Sequence, residues 1–598
     1  MVSLSMSIVF STLLTTLPWW ILLLALVECK LGLFSAICTT VRYTYERYSS
    51  PCITVPSPPV SFSDAPATEP LTPRASPAGM ICCYDKGTNI PIGLVNTTTP
   101  SEVREAVACA RVAQKEWAKT PFSTRRRLLF SLMEYILANQ STICKTTSVE
   151  CGKTMLDAFL GEIITTLEKL RWTAAYGEEV LSEEVRDVGV MTIHKRATVK
   201  YMPYGVIGAI VSWNYPFHNI FGPMISALFA GNAFVGKVSE YSSYYASYYQ
   251  SIVHDALRKL DHSPHLVSFV TGFADVGSTL VNSVDKLTFI GSPAVGKLVM
   301  RTAAETLTPI VLELGGKDPA VVCEDADLDQ LVPIIMRGTF QNSGQNCVGL
   351  ERVLVHESIH DRLLSLLEPR VRALTQGPAS KGLYDLGAMT MGQAAVEKIQ
   401  KLVDDSVAAG AVLCCGGTPG AGFYPPTILT NVGPDTPIAR EEVFGPILVL
   451  MKFRTDKEAV DIVNACGFGL GSSVFSRNIS RAKGIVDQLV TGMANVNDFG
   501  INYLCQSLPF GGVKLSGFDR FSGREGLRGN CVVRATTADR IPGVKTVIPP
   551  VLQYPISEGA TTFIEQLTVA IYGRTRQSFG SIIKMLGVHS GADNKKHE

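Results

Sequence analysis

Leu312-Glu313-Leu314-Gly315-Gly316-Lys317 and, further along, Gln341-Asn342-Ser343-Gly344-Gln345-Asn346-Cys347 bound one segment that starts on a carboxylate and ends on a thiol. Each has glycine beside it, which lets the backbone take unusual dihedrals and lets a flat group come close. An ionised thiol is a strong nucleophile, and a carboxylate among apolar neighbours (Leu312, Leu314) can be tuned toward neutral pH as a general base. Alone the pair decides little, because a lone cysteine is most often a small buried hydrophobe. Its weight comes from what stands around it.

Upstream, from Val199, short β-rich runs alternate with helical stretches. Tyr204–Val211, Ala230–Val238, Leu266–Thr271 and Lys286–Ile290 read as buried strands. Such alternation argues for a parallel α/β sheet, whose ligands bind at the carboxyl ends of the strands. Three strand ends carry polar groups. Ser212-Trp213-Asn214-Tyr215-Pro216 offers a side-chain amide that could meet an oxyanion, or a turn-forming asparagine. In Gly236-Lys237-Val238-Ser239-Glu240, Lys237 and Glu240 can both reach the hydroxyls of a ribose, or simply pair at the surface. Gly291-Ser292-Pro293-Ala294-Val295-Gly296 is a glycine loop opening a helix whose N-terminus can hold a pyrophosphate. It is not the usual G-x-G-x-x-G fingerprint.

Taken in order, these motifs resemble the aldehyde dehydrogenase superfamily over roughly Ile81 to Arg540. Trp213-Asn214-Tyr215-Pro216 matches its tryptophan-asparagine-aromatic-proline motif, and Leu312–Lys317 and Gly344–Cys347 match its glutamate and cysteine signatures. Glu441-Glu442-Val443-Phe444-Gly445-Pro446 looks like the segment that holds the nicotinamide ribose. Pro509-Phe510-Gly511-Gly512-Val513-Lys514-Leu515-Ser516-Gly517 matches the C-terminal landmark. Val238 where many members have proline, and Tyr215 for the commoner phenylalanine, remove no catalytic group.

The resemblance implies Cys347 as nucleophile, Glu313 as the base that activates water, and Asn214 with the Cys347 backbone N–H as oxyanion donors. It implies that Trp213, Lys237, Glu240, Gly291, Ser292, Gly296, Glu442 and Phe444 surround the cofactor. Glu240 should repel a 2′-phosphate, which favours NAD over NADP. The implied architecture is a Rossmann-like NAD domain over 81–315 with an oligomerisation hairpin near 185–202, and an α/β catalytic domain over 316–512. A return segment over 513–540 would carry a strand used in a homodimer or homotetramer. A coenzyme A-acylating relative would form acyl-CoA, which Glu313 argues against. A catalytically silent membrane scaffold is the reading from another class.

The 598 residues suit two or three folded units. A net charge of +1, with no basic cluster interleaved with aromatics, excludes a nucleic-acid partner, and 15 scattered cysteines without zinc spacing read as reduced thiols with no metal site. Residues 1–30 are free of charge as far as Val27 and long enough for a hydrocarbon core of roughly 30 Å, so a transmembrane anchor is expected there. A second apolar run at 31–41 suits an interface. Lys30, Arg42 and Arg47 follow the span while no lysine or arginine precedes it, which places the body in the cytosol. Residues 48–80 are a proline-rich linker. Ser101–Gly177 reads as helices without chemistry, including a basic amphipathic one over Arg125–Leu137.

Residues 541–598 form an extension whose Phe563, Leu567 and Ile571 recur at helical spacing. Lys595-Lys596-His597-Glu598 looks like a dilysine signal of endoplasmic reticulum membrane proteins. In the rival, lumenal topology Asn96, Asn139 and Asn478 would be glycosylation acceptors. The chain resembles the long, membrane-anchored branch of the superfamily. Such an anchor would concentrate the enzyme beside lipid, so long-chain or lipid-derived aldehydes are the expected substrates.

Overall fold

The computed structural model describes residues 33–58, 79–575, 577–578 and 581–582. The expected membrane span at 1–30, most of the proline-rich linker and the terminal Lys595–Glu598 lie outside the described residues. Among the described residues no helix is long and apolar enough to cross a membrane. The chain divides into two compact units, Met1–Leu181 with Pro203–Val532, and Ser182–Met202 with Val533–Glu598.

The first unit is built on two sheets. All four strands expected from the sequence form, as Val206–Ile210, Ala233–Lys237, Val267–Val270 and Lys286–Ile290, joined by Ile310–Glu313 and the short Gly517–Phe518. Their order across the sheet is Gly517–Phe518, Ile310–Glu313, Lys286–Ile290, Val206–Ile210, Ala233–Lys237, Val267–Val270. All pairs are parallel except Gly517–Phe518 against Ile310–Glu313. The strands are almost continuously apolar because helices such as Pro216–Phe229 cover them. After Val267–Val270 the chain crosses back to lay Lys286–Ile290 on the other side of Val206–Ile210. That reversal opens a crevice at the carboxyl ends of those two strands, the usual ligand position in such sheets.

The second sheet has seven strands in the order Val412–Cys415, Thr427–Thr430, Ile447–Phe453, Leu350–His356, Asp318–Val322, Ser473–Phe475, Asn495–Val496. Only Val412–Cys415 runs antiparallel to its neighbour. The chain passes from one sheet to the other through Leu314-Gly315-Gly316-Lys317, so Glu313 ends a strand of one sheet and Asp318 begins a strand of the next.

The helical region ahead of the sheets departs from expectation. Pro100–Trp117 begins as its sequence suggests, with a capping box between Thr99 and Glu102 and proline in the first turn. The next helix runs from Phe122 to Cys151, and its Arg125 and Arg126 are buried rather than solvated. Arg125 donates to the carbonyls of Phe229 and Ala118 at 3.0 Å each, closing the ends of two other helices. Arg126 meets Glu46 at 2.5 Å and Glu178 at 2.6 Å. Glu46 belongs to the helix Leu33–Tyr48, into which the run expected at an interface is folded. That helix lies on Phe122–Cys151, with Tyr43 edge-on to Phe130 at 4.7 Å.

The second unit holds most of a three-stranded sheet of Cys531–Asp539, Lys195–Pro203 and Glu184–Arg186, the last two antiparallel, with Cys531, Val532 and Pro203 counted in the first unit. Lys195 and Asp539 form an ion pair at 2.5 Å within it. The spacing of Phe563, Leu567 and Ile571 corresponds to the helix Ala560–Tyr572.

Candidate active site

Cys347 lies in the loop between the turn Gln341–Gly344 and the strand Leu350–His356. The loop is held in an unusual conformation: Asn342 and Ser343 both have φ 54°, in the left-handed region. Side chains over-determine that shape, as such strain requires. Asn342 Nδ2 donates to the carbonyls of Gln345 at 3.0 Å and Asn214 at 3.1 Å. Gln345 donates to the Ala388 carbonyl at 3.2 Å and accepts from the Thr390 N–H at 2.9 Å. Gly344, at φ +72°, passes so close to Gly445 that an added Cβ would stand 2.1 Å from its carbonyl oxygen.

Asn214 follows the Val206–Ile210 strand and is fixed from both ends of its amide. Its Oδ1 accepts from Ser212 Oγ at 2.6 Å and Asn219 Nδ2 at 3.1 Å, and its Nδ2 donates to the Gln345 carbonyl at 3.2 Å. The oxygen is thus committed, and the N–H₂ group faces the cysteine loop with one hydrogen to spare. Behind it Lys153 Nζ donates to the Asn214 carbonyl at 2.6 Å and pairs with Glu162 at 2.7 Å, both side chains wholly buried. The same ammonium sits 4.1 Å from the centre of the Tyr215 ring.

Glu313 is 4% exposed, and its Oε1 has no hydrogen-bond partner on the protein. Burial pushes its pKa up to about 8, opposed in part by a hydrogen bond with the Cys347 thiol. Burial first and the Glu313 carboxyl second push that thiol well above its usual range. At neutral pH the resting pair is therefore thiol and carboxylic acid, in contact. The glycines beside them serve packing as much as access. A Cβ on Gly315 would stand 2.3 Å from the Glu442 carboxylate, and one on Gly316 would stand 2.5 Å from the Cys347 carbonyl oxygen.

One cavity of about 880 Å³ joins Cys347, Glu313 and Asn214 to Trp213, Lys237, Glu240, Gly291, Ser292, Glu442 and Phe444. Lys237 Nζ and Glu240 form an ion pair at 3.5 Å, and burial lowers the lysine pKa against the pull of that carboxylate. Ser292 caps the helix Pro293–Ala304, accepting from the Val295 N–H at 3.5 Å. Gly296 does not line the cavity: a Cβ there would stand 2.7 Å from Leu314, so it lets the helix settle on that side chain. Glu442 accepts from the Gly316 N–H at 2.8 Å, and burial raises it to about 7. Phe444 lies edge-on to Trp213 at 5.5 Å. The set suits a dinucleotide: the carboxyl ends of parallel strands, a capped helix start, a lysine and glutamate at one end and a carboxylate at the other.

Several supports of this site escaped the sequence reading. Glu351 accepts from Lys317 Nζ at 2.7 Å and from the Val443 and Phe444 N–H groups at 3.1 and 2.9 Å, so one carboxylate ties the cysteine strand to the Glu442–Phe444 loop. Lys317 closes the glutamate signature itself, and its position there was the available signal. Lys153 and Glu162 stand in the helical stretch that had been assigned no chemistry, and nothing in their spacing sets them apart.

Residues 74–536 match the family described as "Aldehyde dehydrogenase family". An aldehyde dehydrogenase-like protein of Schizosaccharomyces pombe is 41% identical over 504 residues, covering 82% of this chain and 96% of that one. The 4,4'-diapolycopene aldehyde oxidase of a Methylomonas species is 32% identical over 438 residues, covering 73% and 81%. Among solved structures, a Mycobacterium tuberculosis aldehyde dehydrogenase complexed with NAD+ superposes with TM-score 0.73 at 28% identity, covering 80% of this chain and 97% of that one. The chain belongs to the aldehyde dehydrogenase family, and it is an NAD(P)-dependent enzyme of that family.

Proposed function

We propose that the chain oxidises an apolar aldehyde to its carboxylic acid with NAD, holding the acyl group on Cys347. The observation that carries this is the meeting of thiol, buried carboxyl and pre-set amide in one cavity. Glu313, in its ionised form, takes the thiol proton, and the sulfur bonds to the carbonyl carbon. The charge that grows on the carbonyl oxygen is met by the free hydrogen of the Asn214 amide and by the Cys347 N–H. A bound nicotinamide supplies a hydride acceptor, and loss of the hydride leaves a thioester on Cys347. Glu313 passes the thiol's proton to solvent and, ionised again, deprotonates a water that attacks the thioester; the departing sulfur takes that proton back as the acid is released. Lys237 and Glu240 hold the adenosine ribose. A 2′-phosphate there would meet the Glu240 carboxylate, which supports NAD over NADP.

The substrate class follows from the wall. Leu160, Ile164, Phe499, Leu504, Phe510 and Phe521 line the cavity, Arg337 is engaged with Asp157 at 3.0 Å, and the charge of Lys398 acts on Glu442. A relative named for 4,4'-diapolycopene aldehyde agrees with an apolar chain. Purified enzyme should therefore reduce NAD with a higher kcat/KM on hexadecanal than on betaine aldehyde, and the reverse order would overturn the class. Formation of acyl-CoA in place of free acid would favour the acylating reading.

We further propose that the body is carried on an endoplasmic reticulum membrane facing the cytosol, as a homodimer or homotetramer. Asn96 and Asn478 are exposed acceptor positions, so a glycosidase-sensitive mobility shift of the native protein would reverse that orientation.

A further inference from the structure

The cavity carries a polar pair that the chemistry above does not use. Tyr503, in the short helix Ile501–Leu504, is hydrogen-bonded through its hydroxyl to His218 Nε2, and His218 Nδ1 is bonded to Thr166 Oγ1 at 2.9 Å. Both rings line the cavity together with Cys347 and Glu313. Packing fixes them: Tyr503 lies edge-on to Phe510 at 4.5 Å and to His218 at 5.5 Å, and Phe510 in turn lies against Phe521 at 6.3 Å. His218 is 3% exposed, while Tyr503 is half-buried.

Neither ring serves as an acid or base near neutral pH. Burial, aided by the Lys169 and Lys153 charges, pushes His218 down to about 3, and burial pushes the Tyr503 hydroxyl well above its usual range. What remains is an uncharged hydrogen-bonding point. If Thr166 donates to Nδ1, the ring proton sits on Nε2, which donates to the phenol oxygen and turns the phenol O–H outward. In the other tautomer the phenol donates to Nε2 and a lone pair is left. Either way a hydroxyl fixed by three residues keeps one unused bond among Leu504, Phe510 and Phe521. A polar valence that opens on an apolar wall is a point where a polar atom of a bound molecule gains a partner.

We infer that Tyr503 is a specificity residue that hydrogen-bonds an oxygen on the chain of the aldehyde, so that uncharged, oxygenated apolar aldehydes such as hydroxyalkenals are preferred over plain alkenals. This rests on the aldehyde oxidation proposed above and adds a second recognised group on the substrate.

The test compares (E)-2-nonenal with its derivatives hydroxylated at carbon four, six or eight, whose trans double bond prevents ring closure on the aldehyde. In the wild type, one of the three should exceed the parent in kcat/KM by about tenfold, the worth of one hydrogen bond to a site built for it. Tyr503→Phe should bring that ratio close to one, and because it is a ratio, losses common to both substrates cancel. Thr166→Val, which frees the imidazole, should lower the same ratio. Three hydroxylated substrates all within about twofold of the parent on wild-type enzyme, or a ratio that survives Tyr503→Phe, would overturn the inference. No NADH from any aldehyde would overturn the oxidation itself, and this assignment with it.

Discussion

The two ends of the cavity treat a carboxylate in opposite ways. Glu313, at the end of one strand, is 4% exposed with one oxygen unpartnered, and burial lifts its pKa to about 8. The Glu240 side chain, just past the end of another strand three places away in the same sheet, is 30% exposed and paired with Lys237 at 3.5 Å. The first environment holds a proton that can move near neutral pH, and the second sets a carboxylate beside an ammonium at a place suited to hydroxyls. Residue type is the same at both ends, so solvent access and the nearest charge set the role.

Removing the Cys347 thiol breaks the comparison most severely. Cys347→Ser should lower kcat/KM by at least about 10³-fold, and intact-mass spectra of protein quenched in turnover should lose the acyl adduct. Undiminished turnover would show that the reacting group lies elsewhere.

Glu313→Gln comes next. Its steady-state rate should fall by roughly 10²- to 10⁴-fold with acylated enzyme accumulating, and the rise of wild-type activity through about pH 8 should vanish. Stability supplies an independent reading. Glu313 keeps its proton in the folded protein up to about 8 but loses it in the unfolded chain near 4.5. The native state therefore binds more protons between those values, and the wild type loses stability relative to the glutamine variant as pH rises across that window. Denaturant titrations at pH about 5 and about 8 should differ in this comparison by on the order of a few kcal/mol, and a constant difference would contradict the assignment.

Smallest is the effect at the other end. Glu240→Ala should raise kcat/KM with NADP relative to NAD by about tenfold, as one like charge is removed. An unchanged ratio would place the ribose elsewhere.

What could be read beforehand was local. Glu313, Asn214 and Cys347 sit at strand ends and in tight loops, where backbone geometry restricts the residue choice to short, recognisable runs. Three of the strands before Glu313 were legible because burial on both faces leaves a largely apolar run, and Val267–Val270, at the sheet edge and only partly buried, was legible from its valines and phenylalanine. Illegible were the groups whose meaning depends on a partner far along the chain. Arg125 and Arg126 carry the composition of a solvated face, yet their partners are the carbonyls of Ala118 and Phe229 and the carboxylate of Glu46. Lys153, Glu162 and Glu351 are of the same kind. Tyr503 and His218 lie 285 positions apart, and only the fold brings the two rings together.

The Glu46–Arg126 contact bears on where the folded enzyme begins. The family match starts at residue 74, but a chain trimmed to that point would lose Glu46, the nearer of the two carboxylates that pair with Arg126, and the helix that carries it. Arg126 would keep Glu178 at 2.6 Å, so the loss is one of two counter-ions together with the packing of that helix. Ile53, tucked into the core, and Val55, whose carbonyl accepts from the Tyr135 hydroxyl at 3.1 Å, would go with it. The stretch ahead of the recognisable family segment is thus a structural brace, and recombinant versions that omit it should aggregate or arrive unfolded.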